Sequence, residues 1–158
     1  MKKTIILISV ILVSMIASFS IIYKNAKAPK NDAEVIATQM AEKEAGIVEV
    51  EKFYLYHGNS LVYTIIGKNK AGEPLTVFIP EDEKQEVMIL QKDEGITEQE
   101  AINQLISDQG PKEILNVNLG LEEGNPVWEL AYLDHDSYLN YYYVYFKTGK
   151  WWRTIENL

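Results

Sequence analysis

The pattern of apolar and polar positions divides the chain into one continuous apolar run and a long mixed remainder. From Ile5 to Ile22 there is no charge, Pro or Gly, and the polar residues are all serines. As a helix these eighteen residues would extend roughly 27 Å, close to a ~30 Å hydrocarbon core. Lys2 and Lys3 precede the run, and Tyr23, Lys24 and Lys27 follow it, as at a membrane interface. The pattern predicts a transmembrane helix over 4–23. Ala26-Lys27-Ala28 fits a small-x-small cleavage site, so a cleaved signal peptide is the competing reading. Against it, the apolar run is longer than a signal core, and Pro29 would be the first residue after the cut. An uncleaved anchor is therefore expected. Nearby lysines do not fix its orientation, but a short basic N-terminus starts a signal-anchor, and long domains cross largely regardless of charge. The expected topology is N-terminus in the cytoplasm, remainder outside the cell.

After a polar linker at 24–31, the periodicity becomes helical. Asp32 is a candidate N-cap, Ala33, Ile36, Ala37, Met40 and Ala41 form one stripe, and Gly46 ends the helix. Strand-like runs follow at Val48–Tyr56, Leu61–Ile66, Leu75–Ile79 and Val87–Leu90. At Gly95 the plan restarts. Thr97 and Glu100 form a capping box, and Ala101, Ile102, Leu105 and Ile106 form the stripe. Gly110-Pro111 stops that helix, and strands are predicted at Ile114–Leu121, Val127–Leu133, Tyr138–Phe146 and Trp151–Ile155. The halves align: Gly58-Asn59 with Gly124-Asn125, and Tyr63-x-Ile65 with Trp128-x-Leu130. The predicted fold class is α+β: an N-terminal transmembrane helix and two tandem small helix-plus-antiparallel-sheet domains, at 32–92 and 93–158, after a tail at 1–3. Either alone is marginal in size, so a shared interface is expected.

Charge narrows the function classes. All 23 acidic residues but only 10 of the 15 basic ones lie beyond residue 31, giving that part a net charge of −13. Such a surface disfavours nucleic acid. There is no cysteine, hence no disulfide framework, thiol chemistry or lipoprotein anchor. Asp134-His135-Asp136 is the one cluster with metal or acid/base character. Consecutive residues diverge, however, and the other histidine, His57, is in the other half, so a self-capping turn is expected. Ser60, Ser107 and Ser137 lack a nucleophile elbow, and no carboxylate pair stands out. No catalytic, cofactor-binding or metal-binding residue and no small-molecule substrate is predicted. A hydrolase using His135 is the reading that loss of function in His135→Ala would revive.

The last 31 residues are crowded with aromatics: Trp128, Tyr132, Tyr138, Tyr141, Tyr142, Tyr143, Tyr145, Phe146, Trp151 and Trp152. Strand alternation puts Tyr138, Tyr142, Val144 and Phe146 on one face and Leu139, Tyr141, Tyr143 and Tyr145 on the other. A helix covers one face of such a sheet. The other either packs on the first half or forms an exposed surface for a protein or glycan. The candidate partner-binding residues are Tyr138, Tyr141, Tyr142, Tyr143, Tyr145, Trp151 and Trp152.

Four features together carry a family resemblance. They are the basic N-terminus with its single span, Leu75-Thr76-Val77-Phe78-Ile79-Pro80, Gly95-Ile96-Thr97-Glu98-Gln99-Glu100-Ala101, and the stretch from Val127-Trp128-Glu129-Leu130 to Tyr145-Phe146-Lys147-Thr148-Gly149-Lys150. In this order the chain resembles the TseB-like regulators of cell wall elongation in Firmicutes. The resemblance implies a pair of PepSY-like, cystatin-like domains outside the membrane. It also implies a non-enzymatic role in peptidoglycan synthesis, with a class B penicillin-binding protein (a transpeptidase) as partner. The cystatin-like plan suggests an alternative, a PepSY-type inhibitor or chaperone of an extracytoplasmic protease.

Overall fold

The computed structural model describes residues 12–16, 18, 31–82 and 84–158. Residues 36–158 form one compact unit. Among the described residues no helix is long and apolar enough to cross a membrane. Of the predicted span only 12–16 and 18 are described, and they are helical. The anchor itself, its cleavage and its orientation lie outside the described residues.

Residues 31–45 are helical (α1) and end at Gly46, whose φ of 67° and bond to the Glu42 carbonyl are those of a helix-terminating glycine. A four-stranded antiparallel meander follows: β1 (Ile47–His57), β2 (Leu61–Asn69), β3 (Pro74–Pro80) and β4 (Met88–Gln91), in that spatial order. A 3-10 turn at Lys92–Glu94 leads to α2 (Glu98–Gln109). The predicted capping box is present, Thr97 and Glu100 satisfying one another's end of the helix, and Gly110 closes it in the left-handed conformation. The second meander, β5 (Glu113–Glu122), β6 (Asn125–Leu133), β7 (Leu139–Tyr145) and β8 (Trp151–Ile155), repeats the order of the first.

Each sheet buries one face against its helix. Ala37 and Ala41 pack on Ile47, Ile65, Leu75, Val77 and Ile79, and Ala101 and Leu105 on the face carrying Trp128, Leu130 and Tyr142. Both helical stripes are narrower than predicted. Ile36 and Ile106 are exposed, while Met40 and Ile102 are partly buried at the edges of the two cores. Alternation within β1–β3 gives the first sheet a second apolar face, with Tyr54, Tyr56, Val62, Ile66 and Phe78. That face does not meet solvent. It joins Leu119, Val127, Trp128 and Phe146 of the second half in one continuous core. Thr64, fully buried in it, donates from Oγ1 to the Leu119 carbonyl at 2.7 Å, directly coupling β2 to β5.

Candidate functional site

The second sheet also has a face turned away from its helix, and strand register dictates what lies there. In β6 and β7 the pairs Glu129↔Tyr143 and Ala131↔Tyr141 share that face, while Leu130↔Tyr142 and Trp128↔Val144 share the other. Asn116 and Asn118 of β5 and Ile155 of β8 complete the floor. Leu55 and His57 of β1 form one wall and Leu158 the opposite end, leaving a groove of about 500 Å³. Leu158 is held there by its N–H, which donates to the Leu139 carbonyl at 3.1 Å.

The predicted residues separate into three positions. Tyr141 and Tyr143 line the groove. Tyr145 and Trp152 continue the same face, ring to ring at 5.8 Å, and Trp152 meets Tyr143 edge-on at 5.8 Å. Tyr138 and Trp151 stand at the two ends of the hairpin, 52% and 55% exposed. Tyr142 is fully buried on the helix side, its hydroxyl donating to Asp108 Oδ2.

Alternation alone did not find Arg153. Simple pairing would put Trp152 and Arg153 on opposite faces, but the β7–β8 register shifts between Tyr143 and Val144. As a result the Arg153 guanidinium lies 4.5 Å over the Tyr143 ring and 4.3 Å over Trp152. Its Nη2 reaches 3.7 Å from Glu122 Oε1. Glu122, only 2% exposed, accepts from the Tyr56 hydroxyl at 2.6 Å and from Asn59 Nδ2 at 2.8 Å. Glu129 accepts from the Tyr143 hydroxyl at 2.8 Å. The aromatic face is therefore rigidly framed, and its carboxylates are already engaged with tyrosines.

The histidines stay apart: His57 in the groove wall, His135 in the β6–β7 turn. That turn caps itself. The Tyr138 N–H donates to Asp134 Oδ1 at 2.9 Å and Asn140 Nδ2 to Oδ2 at 3.2 Å. Burial pushes the Asp134 carboxyl up, but these donors outweigh it and hold the group below the usual carboxylate range. Among the described residues no three His, Cys, Asp or Glu side chains converge as a metal site.

This geometry has relatives. The protein described as "Probable cell wall elongation regulator TseB" of Bacillus subtilis (strain 168) is 33% identical over 147 residues, covering 92% of this chain and 88% of that protein. The chain belongs to the TseB-like family. A family model for the cell wall elongation regulator TseB-like domain matches residues 37–80, that is, the end of α1 and β1 to β3. The solved structure of the YpmB protein from Bacillus subtilis superposes with a TM-score of 0.68 at 31% identity, covering 77% of this chain and 94% of that one.

In this TseB-like chain four buried phenols share one chemistry. Tyr54, Tyr56, Tyr142 and Tyr143 are each held well above the ordinary tyrosine range, first by burial and then by the carboxylate accepting the proton: Glu98, Glu122, Asp108 and Glu129. The folded state thus retains protons that the unfolded chain releases near pH ~10. Their stabilisation is complete below that pH and falls as pH rises past it, by at most about 1.4 kcal/mol per pH unit for each tyrosine. Urea midpoints measured from about pH 8 to 11 are expected to be level at first and then to drop. A flat profile to the end would contradict the assignment.

Proposed function

We propose that this TseB-like chain is a non-enzymatic regulator of cell wall elongation. In this reading residues 4–23 anchor it with the N-terminus in the cytoplasm, and its two small domains, 32–92 and 93–158, lie outside the cell. It binds a class B penicillin-binding protein through the face formed by Tyr141, Tyr143, Tyr145 and Trp152, with Tyr138 and Trp151 at its ends and Tyr142 supporting it from behind. The observation that carries the reading is the 33% identity over 92% of the chain to a protein described as a probable cell wall elongation regulator. What supports the choice of surface is an aromatic face that, among the described residues, no helix covers. Rigid aromatic rings beside an arginine are the usual anchors of protein interfaces.

In-cell photo-crosslinking tests it. Probes replace Tyr141 and, separately, Trp151, with Ile106 on the exposed side of α2 as control. Capture of a penicillin-binding protein from Tyr141 and Trp151 but not from Ile106 is the expected result. Capture of a protease would move the assignment to an inhibitor. Capture from Ile106 alone, or self-adducts only, would reject the surface.

A further inference from the structure

A second cavity, sharing no residue with the groove, lies where the second face of the first sheet meets the start of α2. It encloses about 320 Å³, within the range of small-ligand sites. Its walls are Tyr54 and Ile66 from the first sheet, Ile96 ahead of α2, and Trp128 and Phe146 from the second sheet.

These walls are fixed by bonds that do not depend on a ligand. Trp128 Nε1 donates to the Ile96 carbonyl at 3.0 Å, and the Ile96 N–H donates to the Phe146 carbonyl at 2.8 Å. The Tyr54 ring meets Trp128 edge-on at 5.5 Å. Gly95 lies so close to Phe146 that a Cβ there would sit 2.2 Å from the ring. The cavity is thus preformed and flat-walled.

Two polar features give it a chemistry. Thr76 lines the cavity and has no exposed surface, yet its Oγ1 has no hydrogen-bond partner among the described residues. An unmatched buried hydroxyl is costly unless something bonds it. At the rim stand two ion pairs, Lys52 with Glu98 and Lys92 with Glu51. The bonds from Tyr54 and Lys52 both fall on Glu98 Oε2. Burial pushes the Glu98 carboxyl up, but Lys52 and Tyr54 outweigh it, so the group remains an anion. The rim therefore offers both signs and no net charge, which disfavours a purely cationic or purely anionic guest.

We propose that this cavity binds a free phenolic α-amino acid of the tyrosine type. The ring packs against the wall that Trp128 and Phe146 form together, facing Ile66, the phenol hydroxyl bonds Thr76 Oγ1, and the ammonium and carboxylate meet Glu98 and Lys92. Because the cavity's walls come from both sheets, an occupant bridges the two halves.

The test uses the full chain in nanodiscs with the isoleucine δ1-methyl groups labelled for NMR. L-tyrosine is titrated against L-phenylalanine, tyramine and 3-(4-hydroxyphenyl)propionate. L-tyrosine is expected to give saturable shifts at Ile66 and Ile96, with each analogue at least about tenfold weaker, the effect of one lost polar contact. Thr76→Val is expected to erase the preference for tyrosine over phenylalanine while leaving phenylalanine binding unchanged. Glu98→Gln is expected to weaken L-tyrosine and leave the propionate unaffected. No saturable shift at Ile66 or Ile96 in the unmodified chain overturns the site. Equal binding of tyrosine and phenylalanine, or a preference unchanged in Thr76→Val, overturns the assigned ligand. Both results are independent of whether the groove binds a penicillin-binding protein.

Discussion

Tyr56→Ala is expected to destabilise the protein by about 3–5 kcal/mol, the range for removing a fully buried aromatic ring. The ring has no exposed surface and belongs to the core that both sheets share. Its hydroxyl is also the shortest donor to Glu122, which would keep only Asn59 and the 3.7 Å approach of Arg153. Tyr56→Phe separates the two contributions. It retains the packing and leaves the carboxylate short of one donor, for an expected cost of about 1–3 kcal/mol. The measurement is urea unfolding of the full chain, followed at Ile65 in the first sheet and at Tyr142 in the second. Both probes are expected to report one transition, moved to lower urea in Tyr56→Phe and further in Tyr56→Ala. Two transitions, with only the first-sheet probe shifted, would show that the halves fold separately and that Tyr56 serves one of them.

Much of this fold is legible in the sequence because its signals are local. The Thr97–Glu100 capping box, the terminating Gly46 and Gly110, and the alternation through Leu139–Tyr145 each act within a few residues. The apolar period places Tyr142 and Tyr143 on opposite faces, as observed. What pattern reading misses is long-range. Glu122 reads as one more solvated acid in an acidic domain, yet Tyr56 and Asn59, more than sixty positions earlier, bury it. The groove was only half legible for the same reason. Its aromatic floor follows from β7, but Leu55 and His57 enter through the packing of one half on the other, which no local period encodes. Arg153 escaped because a single bulge reverses the face that alternation assigns.

Gly120→Ala gives the second large effect, and its cause is steric. A Cβ at Gly120 would lie 2.1 Å from Tyr56 Cγ and 2.5 Å from its Cβ, atoms at the root of a buried ring that cannot swing aside. Overpacking of this kind costs about 1–3 kcal/mol, and here it pushes apart the two strands that join the halves. Gly124, four residues on in the same hairpin, is the control. Nothing lies within 4 Å of its added Cβ, and its φ of 77° makes the cost of alanine torsional, about 1–2 kcal/mol. The two glycines are therefore distinguished by coupling to Tyr56 and not by the size of their individual effects. With Tyr56→Ala in place the clashes with the ring atoms Cγ and Cδ1 disappear and only the 2.5 Å approach to Cβ remains. The double variant is therefore expected to be more stable than the sum of its single losses, by about 1 kcal/mol. Gly124→Ala combined with Tyr56→Ala is expected to be additive. Additivity at both positions in urea-melt double-mutant cycles would mean that Tyr56 and Gly120 do not meet, and the contact between β1 and β5 would have to be redrawn.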